Sequence, residues 1–289
     1  MNTVTRIEQL NCFSNATEIQ PLGGGITNLN FTVRDGTNRY VVRIGDDIPE
    51  HGVMRWNELA LSQAAEAAGI SPAVVYHEPG VLVLDFLEAR TFSEEDVRDP
   101  ANLTRTIDLV ASVHRNLGSH LISPILTFWP YQVNRTYVTR LLAQGTNHTT
   151  LLPELMAEQD KLAAATGPVN LVIGHNDLLA ANIMDDGERL WLIDWEYGGF
   201  NTPLFDLAGL AGNNGLSEQQ EHGMLEQYFS DNSETNWRPY QAMKCASLMR
   251  ETLWSMVSEQ HSKIDFDYAD YTAENLARLR VALNDFANT

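Results

Sequence analysis

The period of the hydrophobic pattern changes once along this chain. Before about residue 90, apolar residues alternate with polar ones in short runs. "NLNFTVRDGTNRYVVRIG" holds two such runs joined at "DGTN", and Asp-Gly between alternating segments signals a hairpin. "AVVYHE" and "VLVLDFL" are two more strand-like runs, split by the turn "PG". "VMRWNELALSQAAEAAG" is Ala-rich and reads as a helix stopped by Gly69 and the "SP" after it. The order β-β-β-α-β-β predicts a small antiparallel sheet carrying one helix.

After about residue 92 the spacing becomes helical. "SEED" offers a capping box, with Ser93 and Asp96 at the right separation. Helices are expected around 101–117, 131–143 and 153–165, then short strands at "LVIG", "NIMDD" and "RLWLID". Ser217 and Gln220 repeat the capping spacing before "MLEQYF", and "RPYQAMKCASLMRETLWSMVSEQH" reads as one long helix. The expected class is α+β with two lobes, residues 1–88 and 89–289, hinged near 85–91. A cleft between lobes is a common place for a ligand site.

Composition narrows the ligand. The chain has 289 residues, 44% of them hydrophobic, enough for a real core. Its net charge of −19, with 38 acidic against 19 basic side chains, argues against nucleic acid and anionic membrane as partners. A cationic small molecule suits that field, and so does simple solubility. "MNTVTRIEQL" lacks a basic stretch followed by an apolar one, and no window approaches the ~18 apolar residues of a membrane span. Cys12 and Cys245 are far apart and form no metal-spaced pair, so reduced thiols and a cytoplasmic location are expected.

"GHNDLLAAN" fits neither a helix nor a strand. It places Asp177 in a loop after the apolar run "LVI", with Asn182 five residues on. Asp194 ends the next apolar strand, twelve residues further. An Asp, an Asn and a second Asp at strand ends make a hard-oxygen site for Mg²⁺, which keeps water and phosphate oxygens in its shell. That frees Asp177 to accept a proton from a substrate hydroxyl. D-x-x-x-x-N followed by a strand-end Asp is the spacing of a kinase catalytic loop and its metal Asp. Either acid alone would read as a loop residue capping backbone groups. "GGGITN", Gly23 to Asn28, lies between strand-like runs, and glycines let backbone N–H groups approach phosphate oxygens. It also reads as a tight hairpin. Arg43 ends the strand "RYVVRI", and Glu58 lies fifteen residues on in the helix "RWNELALS". Paired, they would hold a guanidinium toward a nucleotide.

These segments resemble the choline/ethanolamine kinase family, within the wider aminoglycoside-phosphotransferase-like kinases, in a bacterial form. "HNDLLAANI" resembles the group's H-x-D-x-x-x-x-N loop, "IDWEYGGFN" the stretch carrying its metal Asp, and "PLGGGITNLNF" its phosphate loop. Arg43 stands where choline kinases carry Arg in place of the usual kinase Lys. "DFLEARTF" resembles their hinge, and "LWSMVSEQHSKIDFDYADY" the lining of their choline pocket. The resemblance spans about residues 20 to 275.

It implies a two-lobed protein-kinase-like fold and ATP- and Mg²⁺-dependent phosphorylation of a small cationic alcohol, choline first. Ethanolamine, thiamine or an aminoglycoside are rival acceptors, and a non-catalytic nucleotide-binding module is the rival outside catalysis. Asp177 would be the base, and Asn182 and Asp194 the Mg²⁺ ligands. Gly24, Gly25, Thr27 and Asn28 would cover the phosphates, Arg43 and Glu58 would form the clamp, and the backbone of Phe86 and Leu87 would meet the adenine. Tyr197, Trp254, Phe266 and Tyr271 would surround the ammonium.

A trimethylammonium donates no hydrogen bond and is held by aromatic faces and nearby carboxylates. Trp254, Phe266, Tyr268 and Tyr271 are dense aromatics beside Asp265, Asp267 and Asp270, though such residues also pack helices together. Glu251 stands where eukaryotic choline kinases place another Trp. Leu179 replaces a polar residue often seen after the base, and "AGNNGLSEQQ" also differs from the eukaryotic enzymes. These departures bear on the substrate pocket. His175 is expected to orient the loop, Asp206 to anchor its backbone or simply start a helix, and His114 to pack a helix.

Overall fold

A computed structural model of the chain describes residues 2–23, 28–230, 233–262 and 266–289. The architecture is α+β. Five antiparallel strands, β1 (Ala16–Leu22), β2 (Leu29–Asp35), β3 (Asn38–Ile44), β4 (Val74–Glu78) and β5 (Val81–Asp85), form one sheet in the order β1-β2-β3-β5-β4. The expected hairpin is β2–β3, in which Asp35 pairs with Asn38 and Gly36 takes a φ of +60° that glycine adopts without strain. The helix in this half is α2 (Arg55–Ala67).

A short helix, α1 (Thr3–Glu8), precedes the sheet and was not expected. Asn2 caps it by accepting from the Val4 N–H at 3.3 Å. Ile7 and Leu10 complete a small core with Phe31, Val33, Val42, Val81 and Val83. α2 belongs to the other core. Leu61, Ala64 and Ala65 pack with residues of the helical lobe. Asn57 on α2 donates to the Gly198 carbonyl at 2.9 Å and accepts from the Leu126 N–H at 2.8 Å. The helix therefore locks onto the region that carries the site.

Helices dominate the rest: α3 (Glu94–Arg98), α4 (Pro100–Asn116), α5 (Pro130–Gln144), α6 (Leu152–Thr166), α7 (Pro203–Asn214), α8 (Glu218–Phe229), α9 (Ser233–His261) and α10 (Tyr268–Ala287). The capping boxes at Ser93–Asp96 and Ser217–Gln220 are both formed. α9 is the hub, packed against α5, α6, α7, α8 and α10. It is buried on most faces from Tyr240 to Ser258, as a central helix must be.

Short strands frame the site. β7 (Val172–Gly174) pairs with β10 (Gly199–Asn201), and β6 (Arg90–Thr91), β8 (Ile183–Asp185) and β9 (Leu190–Leu192) form a second small sheet. Among the described residues no helix is long and apolar enough to cross a membrane.

Candidate active site

The loop 175–182 leaves β7, passes through a single 3₁₀ turn at Ala180–Asn182 and enters β8. Its conformation is fixed from beneath. Asp206, in the first turn of α7, accepts from the backbone N–H of His175 at 2.8 Å and of Asn176 at 2.7 Å. It also accepts from His114 Nε2 at 2.9 Å, and the Tyr228 hydroxyl, which can donate or accept, lies 2.7 Å from His114 Nδ1. His114 therefore does more than pack a helix. Burial by itself would raise the Asp206 carboxyl, but the His114 hydrogen bond and charge outweigh it and hold it below its ordinary value.

Asn176 takes φ +66°, a left-handed conformation that Asn tolerates, and its amide donates to the Tyr197 carbonyl at 3.0 Å. His175 donates from Nε2 to the Ile193 carbonyl at 2.9 Å and lies edge-on to Trp195. Burial lowers its pKa, so it is a neutral, orienting ring. Asn214, in the segment that departs from the eukaryotic enzymes, accepts from the Ala180 N–H at 3.0 Å and donates to the Leu178 carbonyl at 3.1 Å. Sequence reading gave it no such role.

Asp177 follows these anchored residues, with its side chain 16% exposed. Burial lifts its carboxyl to about 8, against the nearby Arg250 charge and with help from Glu251, Asp194 and Glu196. Asn182 donates from Nδ2 to the Asp177 carbonyl at 2.9 Å, so its amide oxygen remains the free acceptor of that side chain. Asp194 follows β9 in a left-handed conformation, φ +69°, uncommon outside glycine and frequent at functional sites. Asn and Asp oxygens suit a hard divalent ion. Among the described residues no three His, Cys, Asp or Glu side chains could hold a metal, so water and phosphate oxygens would have to complete its shell.

The clamp is larger than the sequence suggested. Arg43 forms an ion pair with Glu58 and donates to Asp194 at 2.6 Å. Burial opposes its charge, but Asp194 and Glu196 more than compensate and raise its pKa. Arg55, at the start of α2, reaches Glu58 at 2.6 Å, Glu196 at 3.2 Å and the Asn28 amide oxygen at 2.5 Å. Asn28 in turn donates to Glu196 at 3.0 Å. Asn28, expected over phosphates, thus sits in a buried network joining β2, α2 and the Asp194–Tyr197 segment. Sequence reading missed Arg55 and Glu196; the signal for Arg55 was its i,i+3 spacing to Glu58. Gly24, Gly25 and Thr27 lie outside the described residues. At the expected hinge, the Phe86 N–H is occupied by the Arg39 carbonyl at 3.1 Å, while the Arg39 guanidinium lies 3.7 Å over the Phe86 ring. Leu87 follows Phe86 beyond the end of β5, half-buried.

The four aromatics named from the sequence come together. Trp254 donates from Nε1 to the Tyr197 hydroxyl at 2.9 Å and meets Tyr271 edge-to-face at 6.4 Å. Phe266, half out in solvent, contacts Tyr271 at 5.7 Å. The Tyr271 hydroxyl donates to Glu251 at 2.9 Å. One cation of the chain itself already lies in this group: the Arg250 guanidinium is 4.3 Å from the Tyr197 ring centre. His51 packs 5.0 Å from Trp254, and burial drops its pKa to about 3, so it adds no charge.

The model of the phosphotransferase enzyme family matches residues 18–243. A probable ethanolamine kinase of Arabidopsis thaliana is 27% identical, over 88% of this chain and 76% of its own. The protein LicA of Haemophilus influenzae is 26% identical, over 85% of this chain and 75% of its own. The solved choline kinase LicA from Streptococcus pneumoniae superposes with a TM-score of 0.80 at 21% identity, over 97% of each chain, so the fold is protein-kinase-like.

Proposed function

Since the chain belongs to the phosphotransferase enzyme family, we propose that it transfers the γ-phosphoryl group of ATP to the hydroxyl of a small cationic alcohol, choline first. One observation carries the reading: Asp177 and Asn182 on one anchored loop, with Asp194 tied to Arg43 beside them. The nucleotide lies between the lobes 1–88 and 89–289, its adenine at Phe86–Leu87 and its phosphates near Gly24, Gly25, Thr27 and Asn28. Arg43, steadied by Glu58, which Arg55 also holds, draws the phosphates toward Asp194. Asn182 and Asp194 hold Mg²⁺, which when bound neutralises charge building on the phosphates. Asp177 aligns the hydroxyl and takes its proton, while most of the rate comes from positioning and electrostatics. Free Cys12 and Cys245 suit a reducing compartment such as the cytoplasm.

Tyr197, Trp254 and Tyr271 support a quaternary ammonium, which needs aromatic faces. Glu251 among them favours a second reading, ethanolamine, because a primary ammonium can donate to a carboxylate. A coupled ADP-release assay over choline, ethanolamine, thiamine and kanamycin tests both. Choline should dominate, and Asp177→Asn should lose roughly 10²–10⁴-fold in rate while calorimetry still detects ATP binding. Dominance of thiamine would sink the choice of choline, and dominance of kanamycin the acceptor class. Near-normal turnover in the variant would remove Asp177 from its role.

A further inference from the structure

The acceptor side of the site carries a cation that the mechanism above leaves unused. Arg250 projects from α9 with its side chain 5% exposed. It lies over the Tyr197 ring at 4.3 Å and 5.7 Å from the Phe128 ring centre, so its plane is held on aromatic faces. Nη1 is 2.7 Å from Glu251 Oε2 and 3.9 Å from Asp177 Oδ1. Glu251 is itself fixed by the Tyr271 hydroxyl. Nε and Nη2 differ. Both are closed off from solvent, and among the described residues neither meets an acceptor in hydrogen-bond geometry; Tyr137, whose hydroxyl interacts with the guanidinium, is a polar neighbour. Those two nitrogens form one edge of the guanidinium fork, the edge that grips oxygen acceptors. Charged donors buried without acceptors are costly and call for an explanation.

We propose that Arg250 is a catalytic residue whose unpaired donors, once bound substrate parts the side chains that close them off, meet the oxygen of the acceptor hydroxyl beside Asp177. The proposal rests on the phosphotransfer reading above. A hydroxyl has one hydrogen to give and lone pairs to receive. Asp177 takes the hydrogen and Arg250 meets a lone pair. Asp177 alone would accept from an ammonium as readily as from a hydroxyl. An ammonium has no lone pair to offer those donors, so Arg250 favours the hydroxyl end of an amino alcohol beside Asp177. The loop offers no substitute, because Leu179, two residues past the base, is apolar. In the reaction the hydroxyl oxygen forms its bond to the γ-phosphorus as the bond from that phosphorus to the bridging oxygen breaks. ADP leaves with that electron pair, and the hydroxyl proton passes to Asp177. Arg250 stabilises charge on the attacking oxygen and the oxygens of the arriving phosphoryl group.

The test compares parent, Arg250→Met, Arg250→Lys and Arg250→Ala in the same ADP-release assay with choline and ethanolamine. Arg250→Met should lose about 10²–10³-fold in kcat, the cost of one preorganised donor, with the KM for ATP unchanged. Arg250→Lys should recover part of the loss. Millimolar guanidinium, far below denaturing levels, should revive Arg250→Ala and leave the parent unaffected, a response that a merely packed side chain would not give. Parent-like turnover in Arg250→Met overturns the proposal alone. So does a folded Arg250→Ala that guanidinium fails to revive. A parent that phosphorylates no amino alcohol overturns the phosphotransfer reading, and this proposal with it.

Discussion

Asp206→Asn isolates the anchor beneath the catalytic loop without changing its shape. The carboxylate accepts from two backbone N–H groups and one imidazole, at 2.7, 2.8 and 2.9 Å, and is 2% exposed. Asn keeps one acceptor, which serves the Asn176 N–H. Its NH₂ then faces His114 Nε2 and the His175 N–H. His114 can change tautomer and accept, donating from Nδ1 to Tyr228, so that contact survives. The His175 N–H cannot adapt and is left against another donor. Losing a charged acceptor and stranding one buried N–H costs about 2–3 kcal/mol, or roughly 5–10 °C in Tm for a chain of this size.

The pH dependence gives the sign. The folded Asp206 pKa lies below its unfolded value, so its contribution is present above pH ~4 and is lost as pH falls through the depressed folded value. Asn has no such dependence. The stability gap between parent and variant should therefore hold steady from neutral pH down to about 5 and close below about 4. Urea unfolding at a series of pH values measures it. Turnover should fall as well, because Asp177 directly follows the two anchored residues and a shift of about 1 Å can cost roughly 10²-fold. A gap under about 0.5 kcal/mol at pH 7, the level of an ordinary surface substitution, or one that persists at low pH, would refute the idea that the carboxylate holds the loop.

Asp194→Ala should abolish the response of activity to Mg²⁺; a Mg²⁺ titration that matches the parent would place the metal elsewhere. Trp254→Ala should raise the choline KM by roughly 30-fold, the equivalent of about 2 kcal/mol of cation–π attraction, and leave the ATP KM alone. Trp254→Phe keeps a face but loses the donor to Tyr197 and should fall between. If Trp254→Ala binds choline like the parent, or the neutral isostere 3,3-dimethylbutanol is phosphorylated as well as choline, the aromatics are ordinary core.

What could be read from the sequence was what lies close along the chain. The hairpin, both capping boxes and the loop from Asp177 to Asn182 depend on spacings of a few residues, and each has a local physical signature. α1 escaped because its apolar residues, Ile7 and Leu10, are too few to set a period. Asp206 was one of the expected anchors of the loop, but the pairings around it and around the clamp escaped for another reason. Asp206 and His114 are 92 residues apart, and Arg55 and Glu196 141, so only the fold joins them. Arg250 escaped because α9 is buried nearly all round and shows no polar face to mark which side meets the site. Its neighbour Glu251 stood out as a departure, and the fold reveals the two as a pair.

That pairing bears on which alcohol the site suits. Over the whole chain acidic side chains outnumber basic ones two to one, and an excess so diffuse attracts any cation. Within the site the charges are matched more closely. Arg43 and Arg55 answer Glu58, Asp194 and Glu196 on the nucleotide side. Arg250 answers Glu251 and lies near Asp177 on the acceptor side. Charges buried this deeply contribute little net stability, since desolvation consumes much of their attraction. Their arrangement is better explained by what they must bind. With Arg250 set against two carboxylates, the acceptor side carries one negative charge in excess when Asp177 is ionised. A single ammonium balances it. An aminoglycoside would bring several ammoniums and require carboxylates to match, and the residues around Tyr197, Trp254 and Tyr271 are instead aromatic. The local charge balance and the aromatic lining thus both favour an alcohol with one positive charge.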